Sequence, residues 1–447
     1  MPDIEKPSAI PPGQPIDDTS PTTSRTASID EKDDPYPLDT SPRGWLAVAG
    51  GAISLFVAFG WLTCMGEFQA YYSEHQLQNY TSSTIGWIPS AETYFLFLGV
   101  PFFGGLSDRL GPRALLVLGT ALHVGGLLGL AQSKNYAEIF LTQGIVSAVG
   151  AGAIFVAGTT AVSTWFRARR GLALGLASAG SAVGAIVGTA VIPVLMDNLG
   201  FAWTMRIVAL TYFVLMVPAT ILTTSRPRPE GASLPPFRVS QLVPVSPLRS
   251  GAVSTLAVAA FFYYFAIYIP SNYIKIEALD RSDSPNAANN LLVILNATGL
   301  LGRILPGWLG DRYGHFNTTI ALGSANLVLF LGVWIGAPWA TGRIAFAALY
   351  GIGNGAFVAM MPALIAQTCP DPGRLGLYMG AVYLAVSPSV LLAQPIGGAL
   401  ADAGRGDTRD PYVWPKVFCV LAMTLGIFLF GVTRSLLRRA KTEMQEA

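Results

Sequence analysis

The sequence predicts an all-α membrane protein with twelve transmembrane helices, arranged as two pseudo-symmetric bundles of six. Charged residues make up only 12% of its 447 residues, about half of the roughly 25% found in soluble domains. Hydrophobic residues reach 52%. A chain of this length with so few charges could not cover the surface of a soluble protein. The net charge of +2 also excludes the strongly basic surface of a nucleic-acid-binding protein.

The N-terminal segment differs in composition from the rest of the chain. Residues 1–43 are polar and rich in Pro, Ser, Thr and Asp. Such a segment cannot bury enough apolar surface to offset the entropy lost on ordering. We therefore expect a disordered tail, and its polarity argues against a cleavable signal peptide.

Twelve apolar segments follow, each long enough for the roughly 20 residues that cross a bilayer. Residues 53–62 and 417–432 are apolar on nearly every face, which excludes a soluble amphipathic bundle. The expected spans are 45–70, 85–106, 114–132, 137–164, 171–195, 203–223, 251–273, 287–309, 318–336, 341–367, 375–399 and 412–433.

A polar, proline-rich segment separates the sixth span from the seventh. The predicted domains are an N-terminal bundle at 44–224, a central loop at 225–250, a C-terminal bundle at 251–434 and a tail at 435–447. Two six-helix halves joined by such a loop are typical of secondary transporters.

Most of the 28 Lys and Arg residues fall on the side of the membrane that would hold both termini. The positive-inside rule therefore predicts cytoplasmic termini and a cytoplasmic central loop. The loop after the first span is then external, and its Asn79-Tyr80-Thr81 sequence is a candidate N-glycosylation site at Asn79.

A short pattern occurs twice, at the ends of the second and eighth spans. Asp108, Arg109 and Arg113 belong to the first copy, and Asp311 and Arg312 to the second. An Asp at the membrane face can cap a neighbouring helix or pair with Arg. Two copies in register resemble the signature loop of the major facilitator superfamily. The resemblance implies that both loops latch the outward-facing state.

A second pattern opens the fifth span. The sequence WFRARRGLALGLASAGSAVG at 165–184 resembles a signature of the monocarboxylate porter family, with an aromatic pair followed by a basic cluster that includes Arg169 and Arg170. The segment 43–72 resembles the fungal branch of that family. Small residues at such spacing favour close helix packing and sliding. The glycines on this stripe are Gly175, Gly180, Gly184 and Gly188.

Arg303 is the candidate substrate-binding residue. It precedes Asp311 by eight residues, which places it about 12 Å inside the bilayer. A charge at that depth needs a wet cavity or a partner, and a guanidinium matches a carboxylate. The resemblance implies an arginine at this place that binds the substrate carboxylate. The alternative is a structural arginine that pairs with Asp311 or a carbonyl group.

Two departures from the animal members of the family affect proton coupling. The acidic residue expected four positions before the arginine is Gly299, and a lysine of the first helix is replaced by Thr63. Glu67 and Glu92 are the candidates to carry a proton instead, because a carboxyl group in a low-dielectric environment can be protonated near neutral pH. Each could equally be a hydrogen-bonded structural group.

Further polar and aromatic residues could line a cavity. Asn296 and Asn354 are candidate substrate ligands, although hydrogen bonds between helices explain most such residues. Tyr264 and Tyr268 share a helix face and could stack on a planar ligand. They belong to an aromatic cluster formed by residues 261–265 and Tyr268, for which packing towards lipid is the alternative.

These observations predict a secondary active transporter for a small, monocarboxylate-like organic anion, coupled to protons and working by alternating access. The alternatives are a carrier or efflux pump for a larger metabolite, such as a flavin or a fungal secondary metabolite, and a nutrient sensor on the carrier fold. We expect a monomer in the plasma membrane. No metal-ligand cluster or nucleophile motif indicates an enzyme, and no cofactor is expected.

Overall fold

The computed structural model describes residues 37–227, 245–281, 284–336, 339–407 and 410–446. Within it, Leu38–Ala447 form one compact unit. Most of the predicted tail, residues 1–36, and most of the predicted central loop, residues 228–244, lie outside the described residues.

The described chain is helical, and the twelve predicted spans coincide with twelve long helices. The first, α1, runs Pro42–Thr63 and continues after Cys64 as Met65–Glu74. The next five are α2 (Ser82–Leu110), α3 (Pro112–Leu130), α4 (Tyr136–Trp165), α5 (Arg170–Leu199) and α6 (Phe201–Leu222). The second half contains α7 (Gly251–Asp280), α8 (Pro285–Tyr313), α9 (His315–Ile335), α10 (Ala340–Thr368), α11 (Leu375–Asp407) and α12 (Val413–Glu446).

Eleven helices in the described part of the chain are long and apolar enough to cross a membrane. The twelfth, α2, has 29 residues but falls short in apolarity because it contains Glu92 and several other polar side chains. Those polar groups are largely turned inwards, since Glu92 is 1% exposed. The all-α, twelve-helix prediction is therefore confirmed, with one helix that hides its polar residues inside the bundle.

The helices pack as two groups of six. Within the first half, α1 packs on α4, α5 and α6, and within the second half α7 packs on α11 and α12. The halves meet mainly through two helix pairs, α2 with α11 and α5 with α8. These two crossings occupy equivalent positions in the pseudo-symmetric halves.

Two tight turns explain the glycine of the repeated pattern. Gly111 ends α2 with φ of +78° and Gly314 ends α8 with φ of +92°. Only glycine adopts this backbone region without strain. Each repeated loop can therefore turn directly into the next helix.

The chain enters the first helix through an ordered segment. Asp39, inside the region predicted as tail, has φ of +62° and its carboxylate accepts hydrogen bonds from three backbone N–H groups. The donors are Arg167 at 3.0 Å, Ala168 at 3.0 Å and Arg169 at 2.8 Å. The start of α1 is thus tied to the turn between α4 and α5.

Candidate substrate cavity and latches

The two repeated aspartates each cap a helix of the opposite half. The Asp108 carboxylate accepts hydrogen bonds from the backbone N–H groups of Gly376 and Leu377, both at 2.9 Å. These groups belong to the first turn of α11, where N–H groups have no partner within the helix and the helix dipole favours a negative charge.

The second latch repeats this geometry with the halves exchanged. Asp311 accepts hydrogen bonds from the N–H groups of Gly171 at 2.7 Å and Leu172 at 2.8 Å, in the first turn of α5. Here His315 adds a contact, with its Nε2 3.2 Å from Asp311 Oδ1. Its Nδ1 lies 2.7 Å from Nε2 of Gln367.

Paired glycines allow the helices to approach at both latches. A Cβ on Gly104 would collide with the carbonyl of Gly376, and one on Gly171 would collide with the carbonyl of Gly307. Both crossings therefore bring backbone against backbone, as small residues do between membrane helices. The two halves are closed against each other at the end of the helices that carries the repeated loops, which we call the latched end.

The basic residues of the repeated loops and of the turn between α4 and α5 have separate environments. Arg113 donates to the carbonyl of Ile221 at 3.0 Å, and Arg170 Nε donates to the carbonyl of Phe166 at 3.0 Å. Arg312 lies over the rings of Trp308 and Tyr313. Arg109 is half-buried at the end of α2, and the Arg169 side chain is exposed.

The glycine stripe of α5 faces two different helices. A Cβ on Gly175 would collide with the carbonyl of Arg303 in α8. Gly180 and Gly184 instead pack on α1, against the carbonyls of Ala52 and Phe56. The stripe therefore packs within the first half at its centre and between the halves at its latched end.

A small cavity lies between the halves, above the latches. Phe59, Phe155 and Ser178 line it from the first half, and Ala359 and Pro362 from the second. The cavity has a volume of about 20 Å³. This is room for one or two water molecules at about 10–15 Å³ each. A metabolite requires the halves to move apart at this level.

Arg303 is a buried cation on α8, and its backbone packs against α5 at Gly175, between the cavity-lining residues Leu174 and Ser178. Its side chain is 7% exposed, and among the described residues Nε and Nη1 have no hydrogen-bond partner. Asp311, the alternative partner expected from the sequence, is engaged with the α5 N–H groups instead. The contact of Gly175 with the Arg303 carbonyl sets the register of α5 and α8, and a Cβ on Gly299 would lie 4.0 Å from Nη1. The guanidinium therefore extends one turn away from the latched end, to the level of the cavity residue Ser178.

The two predicted asparagines differ in environment. Asn354 lies on α10 between Gly351 and Gly355, which pack against α8 at Leu295 and Gly299. Its buried Oδ1 has no hydrogen-bond partner among the described residues. Asn354 thus offers an unpaired acceptor at the same level of α8 as the Arg303 guanidinium. Asn296 is half-buried on α8.

Aromatic rings from both halves meet at the middle of the helices. Tyr264 is 3% exposed, and its ring stacks on that of Tyr268 with centroids 6.1 Å apart. Tyr264 also contacts Phe97 of the first half at 5.6 Å. Phe97 in turn stacks on Tyr383 of α11 at 5.1 Å. The sequence indicated the Tyr264–Tyr268 pair but not Phe97 or Tyr383, because one ring in an apolar span carries no signal of its neighbours.

Glu92 lies inside the first half. Trp61 Nε1 donates to Glu92 Oε1 at 2.5 Å and Gln143 Nε2 donates to Oε2 at 3.1 Å. Tyr72 extends the network by donating to Gln143 Oε1 at 2.5 Å. Both carboxyl oxygens therefore have neutral donors, and no Lys or Arg of the described residues forms an ion pair with Glu92.

The remaining predicted residues lie near the opposite end from the latches. Glu67 is half-buried on the short second part of α1. Asn79 is exposed in the turn that follows it, as a glycosylation acceptor requires.

A buried ionic cluster was not expected from the sequence. Glu277 on α7 is 1% exposed, and its Oε1 lies 2.6 Å from Nζ of Lys416, which is fully buried on α12. Arg281 and Asp410 complete the cluster, with an Arg281 Nη2 to Asp410 Oδ1 distance of 2.8 Å. Trp334 donates to Glu277 Oε2 at 3.0 Å. Among the described residues, no group of His, Cys, Asp and Glu has the arrangement of a metal site.

Comparison with known proteins decides the family. The model of the Major Facilitator Superfamily matches residues 44–347 and 256–446, and these two overlapping matches together span both halves. The chain belongs to the major facilitator superfamily. The monocarboxylate porter branch within the superfamily stays a prediction.

Curated members of the superfamily from fungi resemble the chain along most of its length. It is 37% identical to MFS-type transporter 1 of Ophiocordyceps sp. over 88% of this chain and 85% of that protein. It is 36% identical to the MFS-type transporter opdF of Penicillium oxalicum, over 90% of this chain and 92% of that protein. The fujikurins efflux protein of Gibberella fujikuroi is 33% identical over 91% and 86%.

A solved superfamily structure has the same fold. The transporter FucP in its outward conformation aligns with a TM-score of 0.67 over 87% of this chain and 98% of FucP, at 17% identity. Family, relatives and fold together establish a multi-pass membrane transporter.

Proposed function

We propose that this transporter is a secondary carrier for an organic anion, and that Arg303 binds the anionic group of the substrate. The observation that carries the proposal is the buried Arg303 guanidinium, whose Nε and Nη1 have no hydrogen-bond partner among the described residues, at the level of a cavity between the halves. An uncompensated cation at that depth is costly. A carboxylate in the cavity would supply the missing charge and accept from a fork of N–H donors.

Alternating access follows from the two latches. In this proposal the latched end is cytoplasmic, and Asp108 and Asp311 hold it closed while the opposite end receives substrate. Opening requires each carboxylate to leave the N-terminus of a helix in the other half. The binding energy of the substrate must then offset the loss of four charge-assisted hydrogen bonds.

The latch proposal can be tested by charge removal. Asp108→Asn and Asp311→Asn keep the shape but replace one acceptor oxygen with a donor. We expect each to raise the accessibility of the latched end, measured by labelling a cysteine placed at Met379 of α11, which is fully buried against Thr159 of the other half in the closed structure. Unchanged labelling in both variants would contradict the latch role.

Transport is tested with purified protein in proteoliposomes. Uptake of labelled short-chain and aromatic carboxylates should fall at least tenfold in Arg303→Ala, and Arg303→Lys should recover part of it because Lys binds as a point charge without the fork. Arg206→Ala is the matched control, since Arg206 is exposed on α6 beside Trp203. Normal uptake by Arg303→Ala would refute the anion-binding role.

A proton is the proposed coupling ion, with Glu92 as its carrier. Burial with neutral donors only favours the uncharged form of a carboxyl group. Glu67 is the second candidate, on α1 near the outer end. A pH gradient imposed on the same proteoliposomes separates coupled transport from a uniport.

Export of a larger metabolite is the second candidate function. The supporting observation is the 33% identity with a protein named a fujikurins efflux protein, which covers 91% of this chain. Inside-out vesicles loaded with substrate distinguish export from uptake. A chain that binds acids but moves none in either direction would instead be a sensor.

The proposal also includes the membrane, the oligomeric state, the orientation and the glycosylation of the carrier. We place the carrier in the plasma membrane as a monomer with cytoplasmic termini and a glycan on Asn79. A mobility shift on glycosidase treatment, absent from Asn79→Gln, tests both the glycan and the orientation.

A further inference from the structure

We propose that the carrier selects anions that contain an aromatic or other planar conjugated ring, and that rings of both halves form the stacking surface for it. This inference rests on the proposed function, because it assigns a substrate class to the same cavity. The ring surface is defined by Phe97 and Phe155 of the first half and Tyr264 and Tyr383 of the second.

The ring surface crosses the boundary that transport must open. Phe97 and Tyr383 are stacked with an interplanar angle of 8° and centroids 5.1 Å apart. Phe155 meets Tyr383 edge-on at 5.4 Å, and Tyr264 meets Phe97 edge-on at 5.6 Å. Every one of these contacts joins the two halves. Separation of the halves at this level therefore exposes the faces of four rings to whatever enters.

The neighbouring contacts between halves are built differently. At the latches, glycine meets glycine and the backbones touch, which is the usual solution for helices packed in a membrane. One or two helical turns deeper, large rings replace the glycines. Tight closure does not require rings there, whereas a planar ligand that slides between Phe97 and Tyr383 would replace the ring–ring contact with two ring–ligand contacts.

The unpartnered cation lies at the same depth as the rings. Arg303 is ten residues from the latched end of α8, or roughly 15 Å, and its side chain leans away from that end by about one turn. Tyr264 is thirteen residues from the latched end of α7, or roughly 20 Å. The guanidinium and the ring surface are therefore at one level, and Phe155 lines the same cavity as Ser178. Together they fit an anionic group attached to a ring.

Two pairs of acids test the inference. Benzoate and cyclohexanecarboxylate have equal charge and similar size, and only benzoate has a π face; 2-naphthoate and decahydronaphthalene-2-carboxylate form the larger pair. We expect the full-length protein to bind each aromatic acid at least tenfold more tightly than its saturated partner, measured by ligand-induced thermal stabilisation. Equal affinity within both pairs would overturn the inference.

Variants assign the preference to the ring surface. Tyr383→Leu should lower the aromatic preference at least threefold by weakening only the aromatic acids, whereas Tyr383→Phe, which keeps the ring, should retain it. Phe213→Leu on α6, 51% exposed, is the matched control and should leave both affinities unchanged. If Tyr383→Leu weakens the aromatic and saturated acids equally, the ring surface does not select the substrate.

The same measurements separate this inference from the anion proposal. Equal binding of both acids that is lost in Arg303→Ala would refute ring selection and retain the anion site. Binding of neutral naphthalene-2-carboxamide as tightly as 2-naphthoate, unaffected by Arg303→Ala, would refute the anion site and retain ring selection.

Discussion

Two glutamates, one in each half, are buried to the same extent but have different partners. Glu92 and Glu277 are each 1% exposed. Each accepts a hydrogen bond from a tryptophan indole, Trp61 in the first half and Trp334 in the second. Beyond that shared donor, Glu92 has the amide of Gln143, whereas Glu277 has two cations.

The difference indicates which carboxyl group can change its charge. A buried carboxylate without a cation pays a large desolvation cost, so taking up a proton relieves it. The Glu277 carboxylate instead lies 2.6 Å from the ammonium of Lys416 and 3.2 Å from Nε of Arg281. In the proposed function the proton is therefore carried by Glu92 of the first half, whereas Glu277 and Lys416 of the second half form an ionic clamp between α7 and α12.

The largest expected effect comes from breaking the clamp. Lys416→Met should lower the free energy of unfolding by about 3–5 kcal/mol, since it leaves a buried carboxylate without its closest cation. Thermal unfolding in detergent measures this loss. The double variant Lys416→Met with Glu277→Leu should recover most of it, because both buried charges are then removed. A fully stable single variant would show that the cluster is not needed.

Removing each indole N–H gives a direct comparison of the two sites. Trp334→Phe should cost about 1.5–3 kcal/mol, because the lost hydrogen bond goes to an ionised carboxylate. Trp61→Phe should cost about 1 kcal/mol if Glu92 is protonated, because that bond is between neutral groups. Both variants lose similar packing, so the difference in unfolding free energy is informative. Equal losses at neutral pH would indicate that both acids are ionised.

Glu92→Gln should affect coupling more than stability. The amide has the charge of a protonated carboxyl but leaves one of the two N–H donors without an acceptor, so we expect a loss of about 1–3 kcal/mol in unfolding free energy. Accumulation of substrate driven by a pH gradient should disappear, while exchange of substrate across the membrane continues. Retention of gradient-driven accumulation would transfer the coupling role to another group, with Glu67 the next to test.

The smallest effect on stability is expected from protonation of Asp410, which lies at the solvent-facing edge of the ionic clamp. Desolvation alone would raise the pKa of Asp410, but the N–H of Tyr412 and the ammonium of Lys416 hold that pKa below its ordinary value. The ionised carboxylate therefore contributes stability above its ordinary pKa, and this is lost as the pH falls through the lowered value, below about pH 4. Asp410 is 26% exposed in its side chain, so we expect less than about 1 kcal/mol. Asp410→Asn should remove this component from a stability curve over acidic pH.

Local pattern was sufficient to predict the helices and the positions of the repeated loops. Helix length and apolarity are properties of short segments, and the sequence also indicated that the aspartates could cap helices. The capped partners could not be derived, because Asp108 and Gly376 come from different halves and meet only in the folded chain. The same limit applies to Tyr383, which belongs to an apolar span without any distinguishing neighbour.

Charges in the sequence were the least predictable features. Lys416 lies near the external end of the predicted span 412–433, yet it is fully buried. A hydropathy scale gives each charged residue one transfer free energy, whatever its partners. Lys416 is stabilised by Glu277, which is far away in sequence, and by Asp410. Arg303 shows the opposite case, because its isolation in an apolar span indicated its importance before any partner was known.

Asp39 has a practical consequence for engineering the protein. A fluorescent domain or affinity tag fused so that it replaces residues 1–37 would leave the Asp39 carboxylate on the turn between α4 and α5. A fusion joined directly at Pro42 would remove Asp39, the acceptor for three N–H groups of that turn. The turn lies a few residues before Gly171, which donates a hydrogen bond to Asp311. Truncation should therefore stop before Leu38, so that residues 38–41 keep the turn between α4 and α5 in place beside the hydrogen bonds of Asp311.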